Sequence, residues 1–128
     1  MSILLAYHGT DESNAALESA IELAQALGKS LVVLVARRES ADDPRTVEGA
    51  EDKLWDRLEC AAISFSVRHA RADLQIGDDI LAAAHELKPS MVVIGLRGRA
   101  HGSSLGMGVN AAKVLLEAPV PVLTVTSH

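Results

Sequence analysis

The sequence predicts a doubly wound α/β domain, a five-stranded parallel sheet with helices on both faces. Two observations carry this expectation. Apolar runs of strand length alternate with stretches of helical period along the whole chain, and the first run, Ile3 to Tyr7, is continuous rather than alternating, as in a strand covered on both sides. A chain of 128 residues, 48% hydrophobic and 23% charged, is also the usual size and make-up of one globular unit, so residues 1–128 are read as a single domain.

The elements follow in order. Ile3 to Tyr7 is the first buried strand, stopped at His8-Gly9. Asp11 or Ser13 can cap the helix that follows, whose stripe is Ala16, Leu17, Ala20, Ile21, Ala24 and Leu27, and Gly28 ends it. Leu31 to Ala36 is the second strand. Arg37 to Thr46 is polar, contains Pro44 and reads as a loop. Val47, Leu54, Trp55, Leu58 and Ala62 return at helical spacing, with Cys60 read as a small buried thiol among them. Phe65 to Ala70 alternates apolar and polar side chains, as expected of a strand near an edge. Gly77-Asp78-Asp79 opens a third helix with Ile80, Leu81, Ala84 and Leu87 inward, the two aspartates serving as its cap, and Lys88-Pro89 stops it. Met91 to Ile94 is the fourth strand, a helix runs from about Asn110 to Glu117, and Val120 to Thr126 is the fifth strand.

Composition removes several function classes. Twelve basic against seventeen acidic residues give a net charge of −5, and only Tyr7, Trp55 and Phe65 are aromatic. Neither a basic face nor stacking platforms for nucleic acid are present, so no nucleic-acid partner is expected. One cysteine excludes an internal disulfide and a cysteine-based zinc site. The opening MSILLAYHGT has no basic segment before a short apolar run, so a cytoplasmic protein without membrane association is expected.

In a doubly wound sheet, ligands bind beyond the carboxyl ends of the strands, beside the point where strand order reverses. Tyr7-His8-Gly9-Thr10 and the loop after the fourth strand are therefore favoured, and they line one crevice if those strands are neighbours. The second loop holds five of the nine glycines of the chain, between Gly95 and Gly108, together with Arg97 and Arg99. Glycines let backbone N–H groups converge on an anion, and the next helix presents its positive end there. A phosphate cradle is one reading; a glycine-rich surface loop without a ligand is the other. The P-loop pattern fails, because Gly28-Lys29-Ser30 has Leu23 where the first glycine belongs. Gly106, Gly108 and Ala111 satisfy G-x-G-x-x-A, but too far beyond the strand for a dinucleotide fingerprint.

The spacing Gly95-x2-Gly98-x9-Gly108 resembles the nucleotide signature of the universal stress protein family, G-x2-G-x9-G followed by Ser or Thr. The resemblance spans the chain, through ILLAYHGTDES, MVVIGLRGR and NAAKVLLEAPVPVLTV. It implies strand order 3-2-1-4-5 and ATP or another adenine nucleotide as ligand, with magnesium accompanying it. Gly95, Gly98 and Gly108 would then supply backbone contacts, Arg97 and Arg99 charge, and Val109 and Asn110 helix-start amides. Tyr7, His8, Gly9 and Val35 would lie near adenine and ribose. Two positions depart from the family pattern. Val109 stands where a hydroxyl follows the third glycine, and His8 where most relatives carry aspartate. An imidazole offers magnesium no carboxylate oxygen, so a less charged nucleotide is an alternative to magnesium-ATP.

No catalytic constellation is expected. The histidines at positions 8, 69, 85, 101 and 128 lack metal-ligand spacing, and Ser103-Ser104 lacks a nucleophile elbow. Asp42-Asp43 reads as a solvated loop. The resemblance further implies a homodimer formed through the last strand, Val120 to Thr126; from the residues alone, an interior strand explains that apolar run equally well. The expected function is binding and signalling in a stress response, with a nucleotide-free, dimeric partner-binding module as the alternative.

Overall fold

The computed structural model describes residues 2–8, 10–35, 44–70, 75–96 and 109–126. Its elements are β1 (Ser2–Tyr7), α1 (Asp11–Leu27), β2 (Ser30–Val35), α2 (Pro44–Cys60), β3 (Phe65–His69), α3 (Ile76–Leu87), β4 (Met91–Leu96), α4 (Val109–Glu117) and β5 (Val122–Thr126). All strand pairs are parallel, and the sheet order is β3-β2-β1-β4-β5. The expected doubly wound sheet is what forms.

The continuous apolar runs are explained by two core layers. Successive side chains of a strand point to opposite faces. Ile3, Leu5 and Tyr7 of β1, with Leu31, Val33 and Val35 of β2, meet Ala16, Leu17, Ala20, Ile21, Leu54 and Leu58 of α1 and α2. Leu4, Ala6, Val32, Leu34, Val92 and Ile94 point the other way and meet Ile80, Ala83, Ala84 and Val114 of α3 and α4. From Ile3 to Tyr7, successive residues of β1 thus alternate between the two cores, and none of them is charged.

Several boundaries differ from the expectation. The cap of α1 is Thr10, one residue before Asp11: its hydroxyl accepts from the Ser13 N–H at 3.3 Å, and Ser13 Oγ accepts from the Thr10 N–H at 2.9 Å. This reciprocal box satisfies two otherwise orphaned donors, and it leaves Asp11 free to lie in the first turn. Helix α2 begins at Pro44, inside the expected loop, because the first turn of a helix does not need the N–H that proline lacks. The cap of α3 is Gln75, whose side chain makes no capping bond, so Asp78 and Asp79 are first-turn carboxylates rather than caps. Lys88 ends that helix in the left-handed region at φ 47°. Strand β4 runs on through Gly95 to Leu96, and β5 starts two residues later than expected, after Pro121, whose carbonyl accepts from the Val92 N–H.

Cys60 is exposed, contrary to the buried thiol expected. The inward stripe of α2 is Leu54 and Leu58, continued by Ala61; Cys60, two residues beyond Leu58, falls on the opposite side. Ala62 lies past the helix at φ 55° and is exposed rather than inward. Trp55, one of the residues at helical spacing, is 40% exposed and packs its ring edge-on to Phe65, with centroids 5.4 Å apart.

Candidate functional site

Strand β1 pairs with β4 in the register Leu5↔Val93, so the two loops singled out from sequence leave adjacent strands. The chain passes outward from β1 to β2 and β3 on one side and from β4 to β5 on the other. The carboxyl ends of β1 and β4 therefore flank the point where strand order reverses, the position at which a doubly wound sheet leaves a crevice.

Three features shape the described part of that crevice. The first is Gly95. A Cβ built there would collide with the Glu12 carbonyl oxygen and stand 2.9 Å from the Ser13 nitrogen. The missing side chain lets the first turn of α1 lie directly on the end of β4. Gly95 thus has a packing reason independent of any ligand, which sequence reasoning assigned to phosphate contact alone. The second feature is His8, immediately after β1. Its Nε2 is 4.0 Å from Oε1 of Glu12, with the two side chains 29% and 12% exposed. The third is the start of α4 at Val109 and Asn110.

The two helix starts at this end differ in charge. Helix α1 carries Asp11 and Glu12 in its first turn in addition to the Thr10-Ser13 box, so its positive end is already opposed. Helix α4 has no acidic residue in its first turn. It is seated by Val114, fully buried in the second core layer, and by an ion pair of 2.5 Å between Lys113 and Asp78 of α3. That pair holds the Lys113 ammonium above its usual range, chiefly through the hydrogen bond to Asp78. An anion at this end of the sheet meets a favourable helix terminus at α4 and a compensated one at α1.

The remaining sequence candidates divide. Tyr7 and Val35 stand opposite one another in the β1–β2 register, and both side chains are buried in the layer under α1 and α2. The Tyr7 hydroxyl donates to Asn14 Oδ1 at 2.8 Å, and burial pushes its pKa up. These side chains belong to the core, leaving only their main chain beside the crevice. Gly9, Arg97, Gly98, Arg99 and Gly108 lie outside the described residues, as do His101, Ser103, Ser104, Asp42 and Asp43. Glu12 and Asn14 were missed from sequence; the signal was available in TDES, whose Thr-x-x-Ser spacing starts the helix early enough to bring Glu12 under His8. Among the described residues, no three His, Cys, Asp or Glu side chains gather as a metal site, and no helix is long and apolar enough to cross a membrane.

Comparison with known proteins agrees with this geometry. The sequence matches the Universal stress protein family over residues 1–126. A universal stress protein of Thermus aquaticus, named for its place in the QAH/OAS sulfhydrylase 3′ region, is 36% identical over 97% of both chains. A solved universal stress protein of Archaeoglobus fulgidus is similar at TM-score 0.78 and 24% identity, covering 98% of each chain. Solved structures with an adenine nucleotide are among those similar to the chain, and two of them serve as examples. One is a universal stress protein in complex with cAMP, at TM-score 0.74 and 20% identity, covering 100% of this chain and 98% of that one. The other, also from Archaeoglobus fulgidus, is in complex with dAMP, at TM-score 0.72 and 21% identity, covering 98% and 97%. With its sheet order, its glycine spacing and a match along nearly its whole length, the chain belongs to the universal stress protein family.

Proposed function

We propose that the chain binds an adenine nucleotide in the crevice between the ends of β1 and β4 and acts in a stress response by binding and signalling rather than by catalysis. The observation that carries this reading is the α4 terminus. Its first residue, Val109, directly follows the glycine-rich segment of the sequence, and its first turn has no acidic residue to oppose a phosphate. The adenine nucleotides held by two relatives of the same fold support the ligand class. For magnesium the described crevice is a poor fit: Glu12 is its one inward carboxylate, it faces an imidazole, and a hard cation wants several oxygens. A nucleoside monophosphate suits such a site better than magnesium-ATP.

Thermal-shift titration with AMP, cAMP, ADP and ATP, each with and without magnesium, tests this, since a ligand of the folded state raises the midpoint by mass action. A magnesium-independent shift with AMP or cAMP is expected; no shift with any nucleotide at millimolar concentration rejects the reading.

A second reading has its own observation. Strand β5 ends the sheet, and Leu123 on it is 38% exposed, with Leu115 and Leu116 of the preceding α4 37% and 85% exposed. Open backbone groups beside exposed leucines suit pairing of β5 with the same strand of a second copy. Sedimentation of the wild type and Leu123→Lys is the test: a dimer reduced to monomer by the substitution supports it, and a monomeric wild type rejects it.

A further inference from the structure

The sheet has a second edge, β3, on the side away from β5. The Ser64 carbonyl accepts from the Leu31 N–H at 2.9 Å, and the Ala70 N–H donates to the Val35 carbonyl at 2.8 Å. Backbone groups of a strand turn alternately to either side, so Ser66 and Arg68 face β2, and the N–H and C=O groups of Phe65 and Val67 face outward. Among the described residues, no strand lies beyond them. Trp55 of α2 overhangs this edge: its ring meets Phe65 edge-on at 5.4 Å, and it stays 40% exposed. An indole with an open face beside outward strand amides is an anchor for an added strand.

The charge on α2 defines what that strand carries. Asp52, Asp56 and Glu59 stand at i, i+4 and i+7 as one exposed stripe, and Asp52 and Glu59, three and four residues from Trp55, are its neighbours on the helix surface. Among the described residues, none of the three side chains has an ion pair or hydrogen bond. Nearby cations do not neutralise them. Arg57 is held by Glu18 of α1 and Arg68 by Glu86 of α3, while Lys53, two residues from Trp55, leaves the helix on another side. Like charges at this spacing oppose the helix, a cost that a cationic partner offsets.

We propose that the β3 edge and α2 form a docking site for an extended, basic segment of another protein, which adds to the sheet as a further strand. Side chains two residues apart on the added strand rise toward α2. There an arginine stacks on the open face of Trp55, and its neighbours reach Asp52, Asp56 and Glu59. The site lies at the edge remote from β5 and is independent of the nucleotide reading.

Fluorescence anisotropy of a labelled, end-capped hexapeptide alternating valine and arginine, titrated with the full chain, tests this. The peptide is expected to bind, more weakly as salt is raised, and emission from Trp55, the single tryptophan of the chain, should shift in step. Joint Asp56→Lys and Glu59→Lys substitution should weaken binding about tenfold or more. A valine–glutamate peptide should not bind. Nor should the valine–arginine peptide methylated at its backbone amides, which keeps its charge, cannot join a sheet and leaves the protein untouched. Binding that survives methylation overturns the added strand; binding that ignores the charge-reversed variant, or that the glutamate peptide equals, overturns the basic partner. Failure of the valine–arginine peptide to bind at low salt overturns the proposal, and wild-type self-association lost in Trp55→Ala would then assign the face to a second copy.

Discussion

Replacing Gly95 with alanine tests whether the crevice is set by the packing of α1 on β4. The added Cβ would stand 2.5 Å from the Glu12 carbonyl carbon, where ordinary contact begins at 3.4 Å. Relief requires the two elements to part by at least about 0.9 Å, the difference of those distances, because the Glu12 carbonyl oxygen is nearer still. No flexible side chain can absorb this, because the opposing atoms are the backbone of Glu12 and Ser13, and that backbone is tied by the Thr10-Ser13 box and by Ala16, Leu17 and Ala20 in the core. Overpacking of this kind costs about 1–3 kcal/mol, and the rigid partner argues for the upper half of that range. Against it stands a gain of about 0.4–1 kcal/mol from stiffening the unfolded chain. The net expectation is a loss of about 1–2.5 kcal/mol. In urea unfolding this lowers the midpoint while the slope is unchanged, the sign of altered stability without altered compactness. Gly28→Ala is the matched control: nothing lies within 4 Å of its Cβ, so any loss reflects its φ of 65° instead. A Gly95→Ala midpoint equal to wild type would refute the close approach, and with it the account of how α1 is seated.

Three further outcomes follow from the same structure. Thr10→Ala leaves the Ser13 N–H without its capping oxygen and should cost about 1 kcal/mol, read by urea unfolding; Thr10→Ser should recover most of it. The hydrogen bond and charge of Arg57 hold the Glu18 carboxyl below its usual value, so its contribution is present above the unfolded carboxylate range and fades as pH falls through the folded value. Since both partners are 40–52% exposed, Arg57→Gln should cost less than about 1 kcal/mol at pH 7 and nothing at strongly acid pH; a loss that persists in acid would show a packing role for the arginine stem. Val109→Ser places a hydroxyl at the first residue of α4, where the family signature has one, and should tighten ATP binding about tenfold or more by calorimetry, the equivalent of a charge-assisted hydrogen bond of about 1.5–3 kcal/mol. An unchanged titration would show that the hydroxyl is not what this site lacks.

By itself, the sequence determined the α/β alternation, the doubly wound class and the two loops to watch, because these follow from local period and from rules of chain connection that leave little choice. Runs such as Ile3-Leu4-Leu5-Ala6 are apolar at every position only if both faces are covered, and the two core layers show why. The glycine spacing was equally legible as a family mark. Tertiary structure alone decided what individual side chains do within that frame. Periodicity places Tyr7 and Val35 at strand ends but does not say that both turn into the α1–α2 core, nor that Tyr7 reaches Asn14. Cys60 and Trp55 share a helix with buried leucines, yet a shift of one or two positions around the axis carries them outward. Gly95 looks like any loop glycine until α1 is laid across it, and His8 gains a carboxylate neighbour only once Thr10 caps the helix that carries Glu12. Pattern records which face a residue can occupy; the approach of one backbone to another, and the charge that results, arise only when distant segments pack.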